Sequence, residues 1–329
     1  MIDPKGIFER IRKLKVLVIG DSMLDTYIHG NIERISPEAP VPVCEIVKRE
    51  HKPGGAANVA LNCHHLGAET YLMCLLGNDN SGDRLVETIH ENGIELLAIR
   101  TKRQTTVKTR ILGNQQHMIR LDEEDISPIR PETEELIIEK FKAHCEENKP
   151  DVIILQDYNK GMLTDRVISS IITFCNSHDI FTAADPKHNN FFSFKNIDLF
   201  KPNIREVSTA LQKSFEANLE SLSEAADKIM ENMNCQKIMI TLGKDGIFYK
   251  DENQTFISPA FPVEIADVCG AGDTVISLSA LMMAEGIDTE VTLRLANTAA
   301  GHACERLGVY VPDSKDIIKW DRNLSAGIH

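Results

Sequence analysis

The sequence predicts an α/β fold with a mainly parallel sheet and a small β lid. From residue 68 onward, short apolar runs alternate with segments of helical periodicity, as is typical of βαβ units. Two stretches, about 27–50 and about 103–122, break this alternation with β-like runs, and these stretches predict the lid. No internal repeat, low-complexity tract or linker divides the 329 residues, so we expect a single domain over 1–329.

The first predicted strand is Lys15 to Gly20, a buried apolar run that ends at a glycine. No G-x-G-x-x-G follows it, which argues against a dinucleotide-binding domain. Asp21 and Asp25 follow instead, at the end of the strand where open α/β sheets bind ligands. Asp25 could accept hydrogen bonds from sugar hydroxyls, or it could simply cap a loop.

The lid is predicted from two segments. Residues 35–43 contain three prolines, so they cannot form a helix or a central strand, and we expect an extended edge segment. Thr105 to Ile111 and Gln116 to Leu121 flank Gly113-Asn114, which is typical of a hairpin. A small sheet of this kind can close over a site and exclude water.

The remaining elements follow in order. Gly54 and Gly55 precede a helix that ends at Gly67, and Asn58 in its first turns could bind a hydroxyl or could simply be exposed. Further strands are predicted at 71–76, 151–155, 181–185, 197–200 and 237–241. Further helices are predicted up to about 92 and at about 131–147, 165–177, 217–233 and 290–305.

The most informative stretch is Ala266 to Val275. Gly270-Ala271-Gly272 is a glycine turn that leads through Asp273 into a helix, and the backbone N–H groups of such a turn bind anions. A carboxylate at this position is suited to accept a proton. An anion hole beside a general base is what phosphoryl transfer to a hydroxyl requires. The alternative is a tight turn followed by an ordinary helix-start Asp.

Three weaker patterns are compatible with the same chemistry. Asn203 and Glu206 lie one helical turn apart and could hold Mg²⁺, directly or through water, or could cap a helix. Thr241, Gly243 and Gly246 end a strand in a turn that suits a nucleotide phosphate or could equally be an ordinary β-turn. Asn297 could flank an adenine or be a partly buried helix residue. The absence of G-x-x-x-x-G-K-[ST] excludes P-loop kinases.

Composition excludes several classes of protein. With 36 Lys+Arg and 49 Asp+Glu, the net charge is −13, which argues against nucleic-acid or anionic-membrane binding. The 8 Cys form no C-x-x-C pair and are expected to be free, mostly buried thiols, and the 11 His show no metal-binding spacing. Without a signal core or a membrane-length apolar run, we expect a cytoplasmic protein.

The order of these motifs resembles the ribokinase-like (PfkB) carbohydrate kinase family. The resemblance covers essentially the whole chain and implies a three-layer αβα sandwich that uses ATP and Mg²⁺. It implies that Asp273 is the general base and that the turn before it is the anion hole, formed by Gly270, Ala271 and Gly272. Cys269 departs from the threonine that many members carry.

The resemblance also implies roles for the other motif residues. It assigns sugar contacts to Asp25, Gly54, Gly55 and Asn58, the magnesium-associated motif to Asn203 and Glu206, and nucleotide contacts to Thr241, Gly243, Gly246 and Asn297.

Three further stretches narrow the resemblance to one branch of the family. Residues 20–25, 34–43 and 157–161 (GDSMLD, RISPEAPVPV and DYNKG) are similar to kinases that phosphorylate a heptose 7-phosphate at C1. The resemblance implies a 1,7-bisphosphate product that serves ADP-heptose and lipopolysaccharide core synthesis. Some members of this branch carry a fused nucleotidyltransferase, and we expect that activity on another polypeptide.

A substrate with its own phosphate needs basic residues away from Asp273. Lys108 and Arg110, which share one face of a strand, are candidates, and so are Arg34, Arg120 and Lys160. All five could instead be solvated charges at sheet edges. The resemblance and the exposed lid edges favour a homodimer paired through the lids. The alternatives are another sugar kinase, a non-catalytic sugar-phosphate sensor and a nucleotide-dependent oxidoreductase.

Overall fold

The computed structural model describes residues 4–114, 116–306 and 308–325, which form two β-sheets flanked by helices. The strands are β1 Lys15–Gly20, β2 Ser22–Ile35, β3 Pro42–Gly55, β4 Glu69–Gly77, β5 Glu95–Thr101, β6 Val107–Gly113, β7 Gln116–Glu123, β8 Val152–Gln156, β9 Phe181–Asp185, β10 Leu199–Phe200, β11 Lys237–Thr241, β12 Ile247–Lys250 and β13 Thr255–Ser258. The helices are α1 Pro4–Ile11, α2 Ala56–Leu66, α3 Asn80–Glu91, α4 Pro131–Asn148, α5 Asp165–Asn176, α6 Ile204–Ala210, α7 Leu219–Met233, α8 Ala271–Ala284, α9 Thr289–Cys304 and α10 Ser314–Ser325.

The large sheet has nine strands in the order β13-β12-β11-β10-β9-β8-β1-β4-β5. The seven strands from β11 to β5 are parallel, and β12 and β13 are antiparallel additions at one edge. Alternate residues of β1 face opposite cores. Val16 and Val18 pack in the core that includes α2 and α8, whereas Leu17 and Ile19 pack in the core that includes α4 and α5.

This arrangement confirms the predicted mainly parallel sheet between two helical layers. Most boundaries lie within two or three residues of the prediction; the helix expected from 217 begins at Leu219, because the Asn218 side chain caps it. The strand expected over 197–200 contains only Leu199 and Phe200. The sequence did not predict β5, β12 or β13. β5 and β13 are the edge strands and β12 lies next to β13; β12 and β13 have only four residues each, too few for a clear periodic pattern.

The small sheet has four strands in the order β3-β2-β6-β7. Its first two strands extend beyond the predicted 27–50, because backbone pairing continues from Ile35 and Pro42 down to Ser22 and Gly55. Asp25 therefore lies inside β2 and not in a loop, and the diglycine forms the end of β3. Pro42 begins β3, an edge strand where a missing N–H is tolerated.

The two faces of the small sheet differ in character. Asp25 lies opposite Lys52 and Lys108, and Tyr27 lies opposite Glu50 and Arg110, so one face is charged. The register of β6 and β7 places Leu121 and Ile119 on the other face. Exposed apolar side chains on β3 and β7, with exposed fractions from 45% to 70%, are Ile46, Val47, Met118, Ile119 and Leu121.

The structure also bears on the expectations about membrane-spanning segments and disulfide bonds. Within the described residues, no helix has the length and apolar character that crossing a membrane requires. The eight cysteines are free thiols, and five of them are buried.

Candidate active site

Asp273 lies in the first turn of α8, at the carboxyl-end edge of the large sheet. Gly270 precedes the helix with φ of 83°, a left-handed conformation that strongly favours glycine. The Asp273 side chain is fixed by two donors. Asn58 Nδ2 donates to Oδ2 at 2.6 Å, and the Tyr158 hydroxyl donates to Oδ1 at 2.9 Å. The carboxylate is therefore held in one orientation beside the glycine turn.

The environment of Asp273 tunes its acidity. Burial raises the pKa of Asp273 to about 6, and the nearby charge of Asp185 adds to the rise. Hydrogen bonds from Asn58 and Tyr158, together with the charge of Lys201, oppose it. A carboxylate with a pKa just below neutral is mostly ionised at pH 7 and still accepts a proton well, as general base catalysis requires.

A buried ion pair lies beside the glycine turn. Lys201 Nζ is 2.9 Å from Asp185 Oδ2, and both side chains are buried. A Cβ placed on Gly272 would lie 3.7 Å from Lys201 Nζ, so the ammonium lies next to the 270–272 glycine turn. Sequence reasoning did not assign either residue. The available signal was that Asp185 ends β9 and Lys201 directly follows the neighbouring strand β10, at the ligand edge of the sheet.

Asn203 and Glu206 form a capping box at the start of α6. Asn203 Oδ1 accepts the N–H of Glu206 at 2.9 Å, and Glu206 Oε2 accepts the N–H of Asn203 at 2.8 Å. The other oxygen of Glu206 pairs with Lys187. The helix-capping pattern is thus present and engages Asn203 Oδ1 and both oxygens of Glu206; the role of the two residues in binding Mg²⁺, directly or through water, stays a prediction. No cluster of three metal-binding side chains occurs among the residues that the structure describes.

A cavity of about 360 Å³ lies on the other side of the glycine turn. It brings together all four residues predicted for the nucleotide and two of the anion-hole residues, namely Thr241, Gly243, Gly246, Asn297, Ala271 and Gly272. Gly243 has φ of 63° and open space around its Cα, so a ligand can approach the backbone closely. The Asn297 amide donates to the carbonyls of Ser258 and Pro259 and therefore shapes the cavity wall.

The diglycine at the end of β3 permits a close approach between the end of this strand and residues 21–25. A Cβ on Gly54 would lie 2.3 Å from Asp25 Oδ2, and one on Gly55 would lie 2.3 Å from the Asp21 carbonyl. Asp25 forms a buried ion pair with Arg110, from the neighbouring strand of the small sheet. These contacts bring Asp25 and Arg110 to the end of β3, from which α2 carries Asn58 to Asp273.

The five basic candidates differ in exposure and in their partners, although Arg120 lies directly opposite Arg110 in the sheet. Lys108, Arg110 and Lys160 lie close together; burial lowers the pKa of Lys108, and the charge of Lys160 lowers it further. Lys160 also pairs with Glu124 at 2.7 Å. Arg120 is largely exposed and is held by Asp122. Arg34 is exposed, nine residues beyond Asp25 on β2, which corresponds to about 30 Å along the strand.

A second cavity, of about 180 Å³, was not predicted. It lies on the charged face of the small sheet and is lined by Tyr27, His29, Glu50, Lys52, Leu112, His117 and Gly308. Tyr27 is 4% exposed, and its hydroxyl has no hydrogen-bond partner of good geometry among the described residues. Lys52 Nζ donates to the Val309 carbonyl at 2.9 Å, and Val309 packs near Gly270. The cavity therefore adjoins the glycine turn that begins at Gly270.

Solved structures with the same architecture are sugar and sugar-phosphate kinases. Phosphofructokinase-2 from Escherichia coli superposes with a TM-score of 0.80 and 18% identity, over 95% of this chain and 99% of that one. The ribokinase from Thermotoga maritima gives a TM-score of 0.70 with 20% identity, over 94% and 100% of the two chains. These similarities establish a ribokinase-like fold.

Sequence comparison gives the family itself. The model for the "pfkB family carbohydrate kinase" matches residues 13–316. Proteins called "Bifunctional protein HldE" are 37% identical in Pelobacter propionicus, over 95% of this chain and 64% of the relative, and 35% identical in Campylobacter curvus, over 90% and 63%. The chain thus spans slightly less than two thirds of these relatives. It belongs to the PfkB family of carbohydrate kinases, and it is a sugar kinase.

Proposed function

We propose that this kinase transfers the γ-phosphoryl group of ATP to the C1 hydroxyl of D-glycero-β-D-manno-heptose 7-phosphate. The product, the 1,7-bisphosphate, would serve ADP-heptose and lipopolysaccharide core synthesis. The observation that carries the proposal is the position of Asp273 between a nucleotide-sized cavity and the charged face of the small sheet. The choice of heptose rests on the motifs at 20–25, 34–43 and 157–161 and on similarity to HldE proteins.

The transfer is a direct, in-line displacement. Asp273 accepts the proton of the C1 hydroxyl as that oxygen attacks the γ-phosphorus and ADP leaves. The N–H groups of the 270–272 turn, with Lys201 beside them, stabilise the charge on the transferred group. Loss of a general base typically costs about 10²–10⁴-fold in rate.

Asn203 and Glu206 are the residues that would hold Mg²⁺, through water. Asn203 Oδ1 and Glu206 Oε2 accept the hydrogen bonds of the capping box, and Glu206 Oε1 pairs with Lys187. Bridging waters therefore fit these oxygen atoms better than direct metal ligation does. When bound, the ion would neutralise charge on the phosphate oxygens of ATP. This chain's own contribution is to orient those waters from a rigid helix start.

The cavity lined by Tyr27, Lys52 and His117 is suited to the distal phosphate of the substrate. Its volume of about 180 Å³ exceeds that of a phosphate group, and it offers a buried hydroxyl, an ammonium and two imidazoles. Arg110 lies over the Tyr27 ring, 5.3 Å from its centroid, and adds positive charge at one side. Glu50 is the opposing charge; it lies within 3.4 Å of His29.

The small sheet acts as the lid, and its apolar outer face pairs two copies of the chain. The charged face of the small sheet covers the sugar and excludes water, which would compete with the sugar as the phosphoryl acceptor. The outer face exposes Val47 and its apolar neighbours, a patch that a monomer would leave in solvent. A homodimer joined through these faces buries that patch and also covers the edge strand β3.

ATP turnover against a panel of acceptors tests the proposal. ADP release with Mg²⁺ would be followed for D-glycero-D-manno-heptose 7-phosphate, fructose phosphates, ribose and adenosine. We expect selective turnover of the heptose phosphate. Turnover of a different acceptor alone would refute the proposed substrate and leave the proposed role of Asp273 in place. ATP binding without turnover of any acceptor would favour a non-catalytic sugar-phosphate sensor.

A further inference from the structure

Tyr158 lies in the loop after β8 and donates its hydroxyl to the catalytic carboxylate. The hydroxyl is 2.9 Å from Asp273 Oδ1, and Asn58 occupies the other carboxylate oxygen. Burial raises the pKa of Tyr158 well above its ordinary value, and the negative charge of Asp273 raises it further. The phenol therefore remains protonated and acts as a donor throughout the working pH range.

The backbone beneath Tyr158 is held by a carboxylate from the end of β1. Asp21 accepts the N–H groups of Tyr158 and Lys160, each at 2.9 Å. Gly161 continues the loop with φ of 85°, and a Cβ there would lie 2.1 Å from the Ser127 carbonyl. The loop is therefore fixed on both sides of the ring, and the direction of the hydroxyl is set by the fold.

The ring of Tyr158 contacts two ammonium groups from different parts of the site. Lys108 Nζ, on β6 of the small sheet, lies 5.7 Å from the ring centroid. Lys187 Nζ, which pairs with Glu206, lies 5.3 Å from it. Such cation–π contacts restrain the ring. Tyr158 is thus the junction between the small sheet, the capping box of α6 and Asp273.

We propose that Tyr158 is a positioning residue for the phosphoryl transfer, whose hydroxyl orients Asp273 and keeps its carboxylate ionised. The inference rests on the proposed function in that Asp273 is the base. With one hydrogen bond on each carboxylate oxygen, from Asn58 and from Tyr158, the free lone pairs are directed toward the acceptor hydroxyl. Tyr158 itself exchanges no proton with the substrate.

The predicted signature is a change in pH dependence. The groups that face Asp273 are Asn58 from α2, Tyr158 after β8, Asp185 at the end of β9, Lys187 two residues beyond it and Lys201 after β10. Asp185 favours the protonated carboxyl, and the other four favour the carboxylate. Removing the phenol removes one favourable hydrogen bond, so Asp273 should take up its proton at higher pH, by about one pH unit.

The first test compares Tyr158→Phe with Tyr249→Phe over about pH 5 to about pH 9. Tyr249 also donates to a carboxylate, Asp251 at 2.7 Å, and it lies in β12, next to the edge strand β13 of the large sheet. We expect the acidic limb of kcat/KM to move up by about one pH unit in Tyr158→Phe and to stay in place in Tyr249→Phe. A uniform loss at every pH, or no change, would overturn the proposal.

The second test does not depend on the acceptor. The carboxyl carbons of aspartate are labelled with ¹³C, and the Asp273 signal is identified by its absence in Asp273→Asn. Its titration midpoint should lie near pH 6, as burial dictates, and should rise in Tyr158→Phe. Failure of the heptose phosphate to react would refute the proposed substrate alone. An unchanged midpoint would refute the role of Tyr158 even in an active enzyme.

Discussion

Replacing Lys201 with methionine removes the positive half of a buried ion pair while preserving most of the side-chain volume. Lys201 and Asp185 are 2.9 Å apart, with side chains only 3% and 7% exposed. Leaving one partner of such a pair buried and uncompensated typically costs about 3–5 kcal/mol in unfolding free energy. That loss is a large share of the about 5–15 kcal/mol by which most domains are stable.

Urea unfolding followed by far-ultraviolet circular dichroism measures this loss. The matched control is Lys213→Met, because Lys213 pairs with Glu224 at a similar distance of 2.8 Å on the exposed surface. Exposed pairs contribute little, so the control should unfold almost as the unaltered protein does. The double variant Lys201→Met, Asp185→Asn should recover part of the loss, since no unpaired charge remains.

The result that would refute this reasoning is a Lys201→Met variant that loses no more stability than Lys213→Met. The ion pair would then be either solvated or absent. Activity gives a second check, because Lys201 also lowers the pKa of Asp273. Its loss should move the acidic limb of kcat/KM to higher pH.

Three other predictions concern the sugar side and the small sheet. Gly54→Ala places a Cβ 2.3 Å from Asp25 Oδ2, so KM for the sugar phosphate should rise about tenfold or more while KM for ATP stays constant. Steady-state kinetics measures both values, and an equal rise in the two would contradict this prediction. Lys52→Met should raise KM for the heptose 7-phosphate and leave turnover of the unphosphorylated heptose unchanged; an equal effect on both sugars would exclude Lys52 from the phosphate site. Val47→Asp places a charge on the exposed apolar face of the small sheet, so the protein should shift from dimer toward monomer. Light scattering after gel filtration measures the mass, and an unchanged mass would exclude that face as the interface.

The sequence was sufficient where the chemistry depends on neighbouring residues. The glycines before Asp273 and the apolar period of α8 are local patterns, and both the turn and the helix occur where they were expected. The alternation of strands and helices likewise predicted the parallel sheet, because buried parallel strands are continuous apolar runs. The cavity beside the 270–272 turn combines three such local patterns, namely the turn after β11, the start of α8 and Asn297 in the middle of α9.

The sequence was insufficient where strand order decides which residues meet. Lys201 reaches the 270–272 glycine turn because β10 lies between β9 and β11, an order that no local pattern specifies. Lys52 and His117 meet only through the register of the small sheet. Asn203 and Glu206 present a different problem, because their spacing is compatible with both a capping box and a metal-binding motif. Only the geometry of the side chains shows that the capping box is formed.

The rate of a single turnover in Asp273→Asn tests the central claim most directly. The substitution preserves the shape of the side chain and removes its ability to take up the proton. Enzyme in excess would be mixed with ATP, Mg²⁺ and the heptose 7-phosphate, and the binding of both substrates would be measured separately by calorimetry. We predict a loss of about 10²–10⁴-fold in the chemical step with nearly unchanged binding of ATP and sugar. A near-normal rate in this variant would show that Asp273 is not the base.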